Sequence, residues 1–367
     1  MTLRYAIVGS GMMGQEHIRN IALLEDATVT AVCDPDPGMR AKAQTLAGAG
    51  CRAFSDPKEL IGADLADAYV IAAPNHLHAP LLDDLLTTDT PLLVEKPLCT
   101  TLEDCRRTLA SAETRRAPVW VAMEYRYMPP VARLIEGLRE DRIGRLRMLS
   151  IREHRFPFLN KVGGWNRQAA TSGGTLVEKC CHFFDLMRLI AQSEPLRVYA
   201  SGGHDVNGKA DPAMPETAWD MLDNAFVIVE FANGVRACLD LCMFAEGRWF
   251  QEEITATGDA GQLEARVPGP ARFWPGGLER ASELVHAPRA PKGVTTQTIE
   301  VDPAILHAGD HHGSTFFQHQ RFAALIRRGS GTPEVTLEDG YRAVAIGLAA
   351  ERSAAEKRPV DLAEVGL

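Results

Sequence analysis

The chain has 367 residues, of which 46% are hydrophobic and 24% charged, and its formal net charge is −9. This length exceeds what a single core fills, so two domains are expected, and the composition argues against disorder. The negative charge, with no basic stretch interleaved by aromatics, excludes a nucleic-acid partner.

No apolar run reaches the ~18 residues that a membrane span needs, and the first residues lack the charged, apolar and small-residue regions of a signal peptide. A cytoplasmic location is therefore expected, with no membrane partner. The eight cysteines are expected as reduced, small core residues there, because their spacing fits no metal site.

In chain order, Tyr5 to Val8 is a short apolar strand that ends at glycines, and a helical stretch runs from about Met13 to Leu24. Thr28 to Cys33, Ala68 to Ala73, Pro91 to Val94 and Val119 to Ala122 read as further strands, with helical patterns between them such as Leu102 to Arg115. Short apolar strands alternating with helices predict a parallel sheet covered on both faces. Beyond residue 122 the texture changes. Arg147 to Arg152, Arg197 to Ala200, Asn224 to Phe231, Arg236 to Leu241 and Glu253 to Gly258 read as strands of a mostly antiparallel sheet, with Asn233-Gly234 as a tight hairpin turn. Residues 265–310 are rich in Pro and Gly and predict a long surface excursion. Phe316 to Arg328 and Leu337 to Lys357 close the chain as helices. The expected domains are 1–122, an α/β nucleotide-binding unit, and 123–367, an α+β unit that binds substrate.

Gly9-Ser10-Gly11-Met12-Met13-Gly14 is a G-x-G-x-x-G run that follows the first strand and opens the first helix, the context that dinucleotide binding requires. Gly9 permits the tight turn, Gly11 the approach of a pyrophosphate and Gly14 close helix–strand packing. Met12 and Met13 bring backbone N–H groups to the helix start. Asp34, 20 residues beyond Gly14, ends the second strand, where a carboxylate accepts from ribose hydroxyls and repels a 2′-phosphate. NAD is thus expected rather than NADP, with Arg40 as the nearby residue that could alter the preference. Pro74-Asn75 with His78, and Glu95-Lys96-Pro97, follow strand ends and should line the cofactor cleft. For His76 and His78 a solvated or helix-capping role stands beside the functional one.

Glu178, His182 and Asp185 fall at i, i+4, i+7 in a segment apolar nearly all round, which on one helix is a buried ionisable stripe. Such groups require partners, either in a core network between domains or in a catalytic stripe facing the cleft. Together with the Gly-rich loop, Pro74-Asn75-x-x-His78 and Glu95-Lys96-Pro97, the segment from Ser172-Gly173-Gly174 to His182 and Asp185 resembles the glucose–fructose oxidoreductase / inositol dehydrogenase (Gfo/Idh/MocA) family over essentially the whole chain.

The resemblance implies a Rossmann domain, then an α/β domain whose large open sheet builds homodimers or homotetramers. It implies NAD(P)-dependent chemistry on CH–OH groups of sugars, cyclitols or related polyols. The family's catalytic lysine falls on Lys96, its histidine on His182 and its intervening Asp on Glu178. His182 suits the base that takes a hydroxyl proton. Lys96 suits stabilisation of the developing alkoxide, with its pKa lowered beside a cationic nicotinamide. Glu178 would anchor a neighbouring hydroxyl or orient Lys96, and Asp185 would hold the His182 ring in one tautomer. Arg126, at a position where this family often has a cofactor- or substrate-contacting arginine, Trp165 and Lys179 are further contact candidates. His311 and His312 could reach the substrate. Reduction of an oxo-sugar, and non-catalytic NAD sensing on the same fold, are the alternatives.

Overall fold

A computed structural model describes residues 2–208 and 219–367 of the chain. The first part alternates β1 (Leu3–Val8), α1 (Met12–Ile21), β2 (Ala27–Cys33), α2 (Pro37–Ala47), β3 (Arg52–Phe54), α3 (Pro57–Gly62), β4 (Ala68–Ile71), α4 (His78–Leu85), β5 (Leu92–Val94), α5 (Leu102–Ala112) and β6 (Val119–Val121). Its six strands lie in the order β3-β2-β1-β4-β5-β6 and all pair in parallel. Every residue of β4, β5 and β6 is buried, because helices cover both faces. The strand order reverses between β1 and β4, and this opens a crevice beyond their carboxyl ends.

The second part contains α6 (Pro129–Arg139), β7 (Leu146–His154), α7 (Ala169–Ser172), α8 (Thr175–Glu178), α9 (Cys181–Ala191), β8 (Pro195–Gly203), β9 (Asn224–Phe231), β10 (Arg236–Cys242), β11 (Phe250–Gly258), β12 (Gly261–Pro268), β13 (Ser282–Pro288), β14 (Thr295–Ile299), α10 (Pro303–His307), α11 (Ser314–Arg328), α12 (Leu337–Glu356) and β15 (Val360–Asp361). Nine described strands form one sheet, β14-β13-β12-β11-β7-β10-β9-β8-β15, antiparallel except where β7 meets β10. In β9, Ala225, Val227, Val229 and Phe231 point into the core, while Phe226 and Ile228 point outward and are exposed. That alternation leaves one bare face on the sheet.

Residues 265–310 are not a surface excursion: β12, β13 and β14 extend the sheet there. The signal is weak because β14 is a polar edge strand, Thr-Thr-Gln-Thr-Ile, with only Ile299 buried. Six of the eight free cysteines are buried as expected, but Cys238 is exposed and Cys242 half-buried on β10. The division at 122/123 separates the two sheets but not the two cores. Phe322, Leu325, Val335, Leu337 and Val344 pack in the core of the first sheet, and Val121 N–H donates to the Val335 carbonyl at 3.2 Å. Gly340 permits this approach, since a Cβ there would sit 3.0 Å from the Val121 side chain and 3.1 Å from that of Leu98. No described helix is long and apolar enough to cross a membrane.

Candidate active site

The glycine loop is shaped by contacts that a side chain would block. Gly9 has φ +95°, and a Cβ on it would meet the Ala72–Ala73 peptide at 2.5 Å. A Cβ on Gly14 would fall 2.0 Å from the Gly9 carbonyl oxygen. Around Gly11 nothing lies within 4 Å of such a Cβ, so the loop opens there into free space. No side chain caps the first turn of α1, which leaves its N–H groups pointing into that space. This donor set and cradle fit a dinucleotide pyrophosphate. Asp34 accepts from Ser10 N at 2.6 Å and from Asp36 N at 2.9 Å, which fixes its carboxylate at the cleft edge. Arg40 turns back to donate to the backbone oxygens of Asp34, at 2.5 Å, and Pro35, at 3.3 Å.

From this loop a cleft of about 810 Å³ runs between the two sheets. Gly9, Gly11, Met12, Met13, Asp34, Pro74 and Asn75 line one end. Glu95, Lys96, Trp165, Glu178, Lys179 and His182 line the other. His311 joins them, whereas His312 does not line the cleft.

Two expected contact residues are engaged elsewhere. His78 is buried beneath the loops, its ring nitrogens 2.8 Å from the Pro97 carbonyl oxygen and 3.0 Å from that of Ala73, so it braces the two loops and does not line the cleft. Arg126 is buried outside the cleft lining. It clasps Asp185 with two donors, Nε to Oδ2 at 2.6 Å and Nη2 to Oδ1, and gives Nη1 to the Glu334 carbonyl at 2.7 Å. Asp185 therefore neutralises Arg126 and does not orient His182.

The expected single helix through Glu178, His182 and Asp185 is broken between α8 and α9. The break frees the Glu178 carbonyl, which accepts from Lys96 Nζ at 2.9 Å. The Glu178 carboxylate lies 4.0 Å from Lys96 Nζ and 3.8 Å from Lys161 Nζ. Burial raises its pKa, but Lys96, Lys161 and Lys179 outweigh that and hold it below the usual value. Burial lowers the Lys96 pKa, yet Glu178, Cys181, Glu124 and Glu95 leave it raised, so it is an ammonium. Lys179 is anchored at the cleft floor, 2.8 Å from Glu153 Oε1 and donating to Tyr125 Oη at 2.5 Å.

His182 is almost wholly buried, and the Tyr125 ring stacks on it at 4.0 Å with 4° between planes. Burial first, then the charges of Lys96 and Lys179, push its pKa well below the usual value. It is a neutral imidazole at neutral pH, ready to accept a proton. His311 Nδ1 donates to Glu16 Oε1 at 2.7 Å. Burial opposes its charge, but Glu16 raises its pKa to about 9.

Tyr125, Lys161 and the Glu16–His311 pair were not assigned these parts by sequence reasoning. Tyr125 adjoins Arg126 in the chain, and the aromatic character of Glu124-Tyr125-Arg126-Tyr127 was the available signal. The other two pairings span contacts across the fold and leave no local pattern.

Residues 3–123 match the NAD-binding Rossmann-fold domain of the oxidoreductase family, and residues 135–362 match its C-terminal alpha/beta domain. The protein is an oxidoreductase with an NAD-binding domain. It belongs to the Gfo/Idh/MocA family. The chain is 28% identical over 306 residues to the rhizopine catabolism protein MocA of Rhizobium meliloti, covering 80% of this chain and 89% of that one. It is 27% identical over 364 residues to the inositol 2-dehydrogenase of Rhizobium meliloti (strain 1021), covering 99% and 100%. The fold is shared with levoglucosan dehydrogenase in complex with NADH, at TM-score 0.82 and 21% identity over 99% of both chains. It is also shared with a myo-inositol dehydrogenase from Corynebacterium glutamicum, at TM-score 0.76 and 23% identity over 99% of both.

Proposed function

We propose that this protein is an NAD-dependent dehydrogenase that oxidises a secondary alcohol of a sugar, cyclitol or glycoside to the ketone, reversibly. The observation that carries the reading is the convergence of a charged Lys96 and a neutral His182 on one cleft with the glycine loop at its other end. NAD, when bound, supplies the hydride acceptor. His182 takes the hydroxyl proton, and Lys96 donates a hydrogen bond to the oxygen as negative charge develops there. Glu178, held ionised between Lys96 and Lys161, accepts from a neighbouring hydroxyl and so orients the ring. Lys96, Glu178 and His182 are little exposed, which strengthens each contact.

Two measurements test the reading. In an NADH-absorbance screen of inositols, aldoses and sugar glycosides, turnover is expected with at least one polyol. Lys96→Ala then lowers kcat by about 10²–10³ without loss of NAD binding; wild-type turnover in that variant would refute the role of the ammonium. With the same substrate, NAD exceeds NADP in kcat/KM by roughly tenfold or more, the worth of one charge-assisted hydrogen bond at Asp34. Equal use of the two cofactors would overturn the reading of Asp34.

A further inference from the structure

A second buried carboxyl stands beside the proposed base. Glu124 follows β6, is 1% exposed and lines the cleft. Its Oε1 lies 3.7 Å from His182 Nε2. Neither of its oxygens has a hydrogen-bond partner among the described residues. An unpaired buried carboxylate is costly, so a group of this kind aimed into a site calls for a role.

The other acids near the lysine and histidine are already committed. Glu178 is flanked by Lys96 and Lys161. Glu95 accepts from His17 Nε2 at 2.9 Å and from the Lys96 amide at 3.2 Å. Asp185 is clasped by Arg126. Glu124 alone among these four has free oxygens next to the imidazole.

We propose that Glu124 is a proton relay behind His182, receiving at Oε1 the proton that the imidazole takes from the substrate hydroxyl. The inference rests on the dehydrogenase reading above. In the oxidising direction the substrate O–H bond breaks and an N–H bond forms at Nε2. That N–H bond then breaks and an O–H bond forms on Glu124, which restores neutral imidazole. The electron pair of the carbinol C–H leaves as hydride to bound NAD, and the alcohol becomes a ketone. Glu124 acts through His182 and is a positioning residue in that sense.

The electrostatics give the relay a direction. The groups facing the carboxyl are His182 of α9, Glu95 and Lys96 after β5, and His311 before α11. Burial, then Glu95, push Glu124 up to about 7 against the opposing charges of His311 and Lys96. An imidazolium at His182 is disfavoured by burial and by Lys96, Lys179, His311 and Arg155. A proton collected by His182 is therefore more stable on Glu124. The 3.7 Å separation is of the kind that tightens when substrate fills such a site.

Glu124→Gln tests the relay, since it keeps the size and removes the acceptor. In infrared pH-difference spectra of the NAD-free protein, wild type is expected to show a protonated-carboxyl band that disappears as pH rises through neutrality. Glu252 and Glu351, also pushed up to about 7 by burial, contribute to that band; Glu124→Gln should lose one component and Glu252→Gln should keep it. In kinetics, Glu124 is already protonated below its pKa and accepts nothing, whereas above it the relay is open. Wild-type kcat for oxidation should therefore rise through pH 7, and the variant should fall about tenfold or more behind it above that point while converging below. KM should change little. An unchanged band, or a wild-type-to-variant ratio constant with pH, overturns the relay while the dehydrogenase reading stands. A wild type that reduces NAD with no polyol overturns that reading and the relay with it.

Discussion

Replacing His182 with alanine is expected to lower kcat by about 10²–10⁴, the span for loss of a general base, with NAD affinity and fold retained. The ring lies at the polyol end of the cleft, away from the glycine loop, so cofactor binding does not depend on it. Its depressed pKa shapes the pH profile. A base protonated only in acid stays competent through neutrality, so His182 itself adds no inflection near its usual value. Stopped-flow NADH formation and a calorimetric NAD titration separate the two quantities. Loss of NAD binding together with kcat would mean that the ring supports the site's structure and is not its base. Tyr125 favours the selective result, because the stacked phenol remains to support the wall when the imidazole is removed.

Arg126→Ala is expected to destabilise the protein by about 3–5 kcal/mol, the cost of leaving one partner of a buried ion pair without the other. Asp185 is fully buried and Arg126 nearly so, and the guanidinium also satisfies the Glu334 carbonyl. Chemical denaturation with a fluorescence readout measures the loss. The double variant Arg126→Met, Asp185→Leu should recover most of it, since two apolar groups replace two charges. Were Arg126 a cofactor contact, its single variant would instead raise the NAD Kd at unchanged stability, and the double variant would rescue nothing.

The sequence conveyed what is local. The glycine spacing after an apolar strand specified a turn, a helix start and an anion cradle. Asp34 could be placed because strand and ribose distances are fixed by that unit. Glu95-Lys96-Pro97 could be placed on the cleft because it follows a strand end, whereas periodicity left Glu178 and His182 open between a core network and the cleft, and the family resemblance implied the cleft. What stayed hidden depends on the closing of the fold. Arg126 and Asp185 read as two separate site residues until packing joined them. Glu178 and His182 read as one helix because apolar periodicity continues through Lys179 and Cys180, where the chain kinks. The sign of the Lys96 shift needed the positions of Glu178, Glu124 and Glu95, which come from three segments. β14 was missed because an edge strand of threonines has one buried side chain and no pattern to detect.

The return of α11 and α12 to the first sheet has a mechanical consequence. The polypeptide passes between the lobes at residue 123 and again on its way back into the second sheet, and the loop carrying His311 is tied to α1 through Glu16. Several such tethers permit far less relative rotation than a lone flexible joint. Access for a polyol is thereby shifted from wholesale parting of the halves to the rim, where Val162 and the backbone near Gly163 stand in solvent.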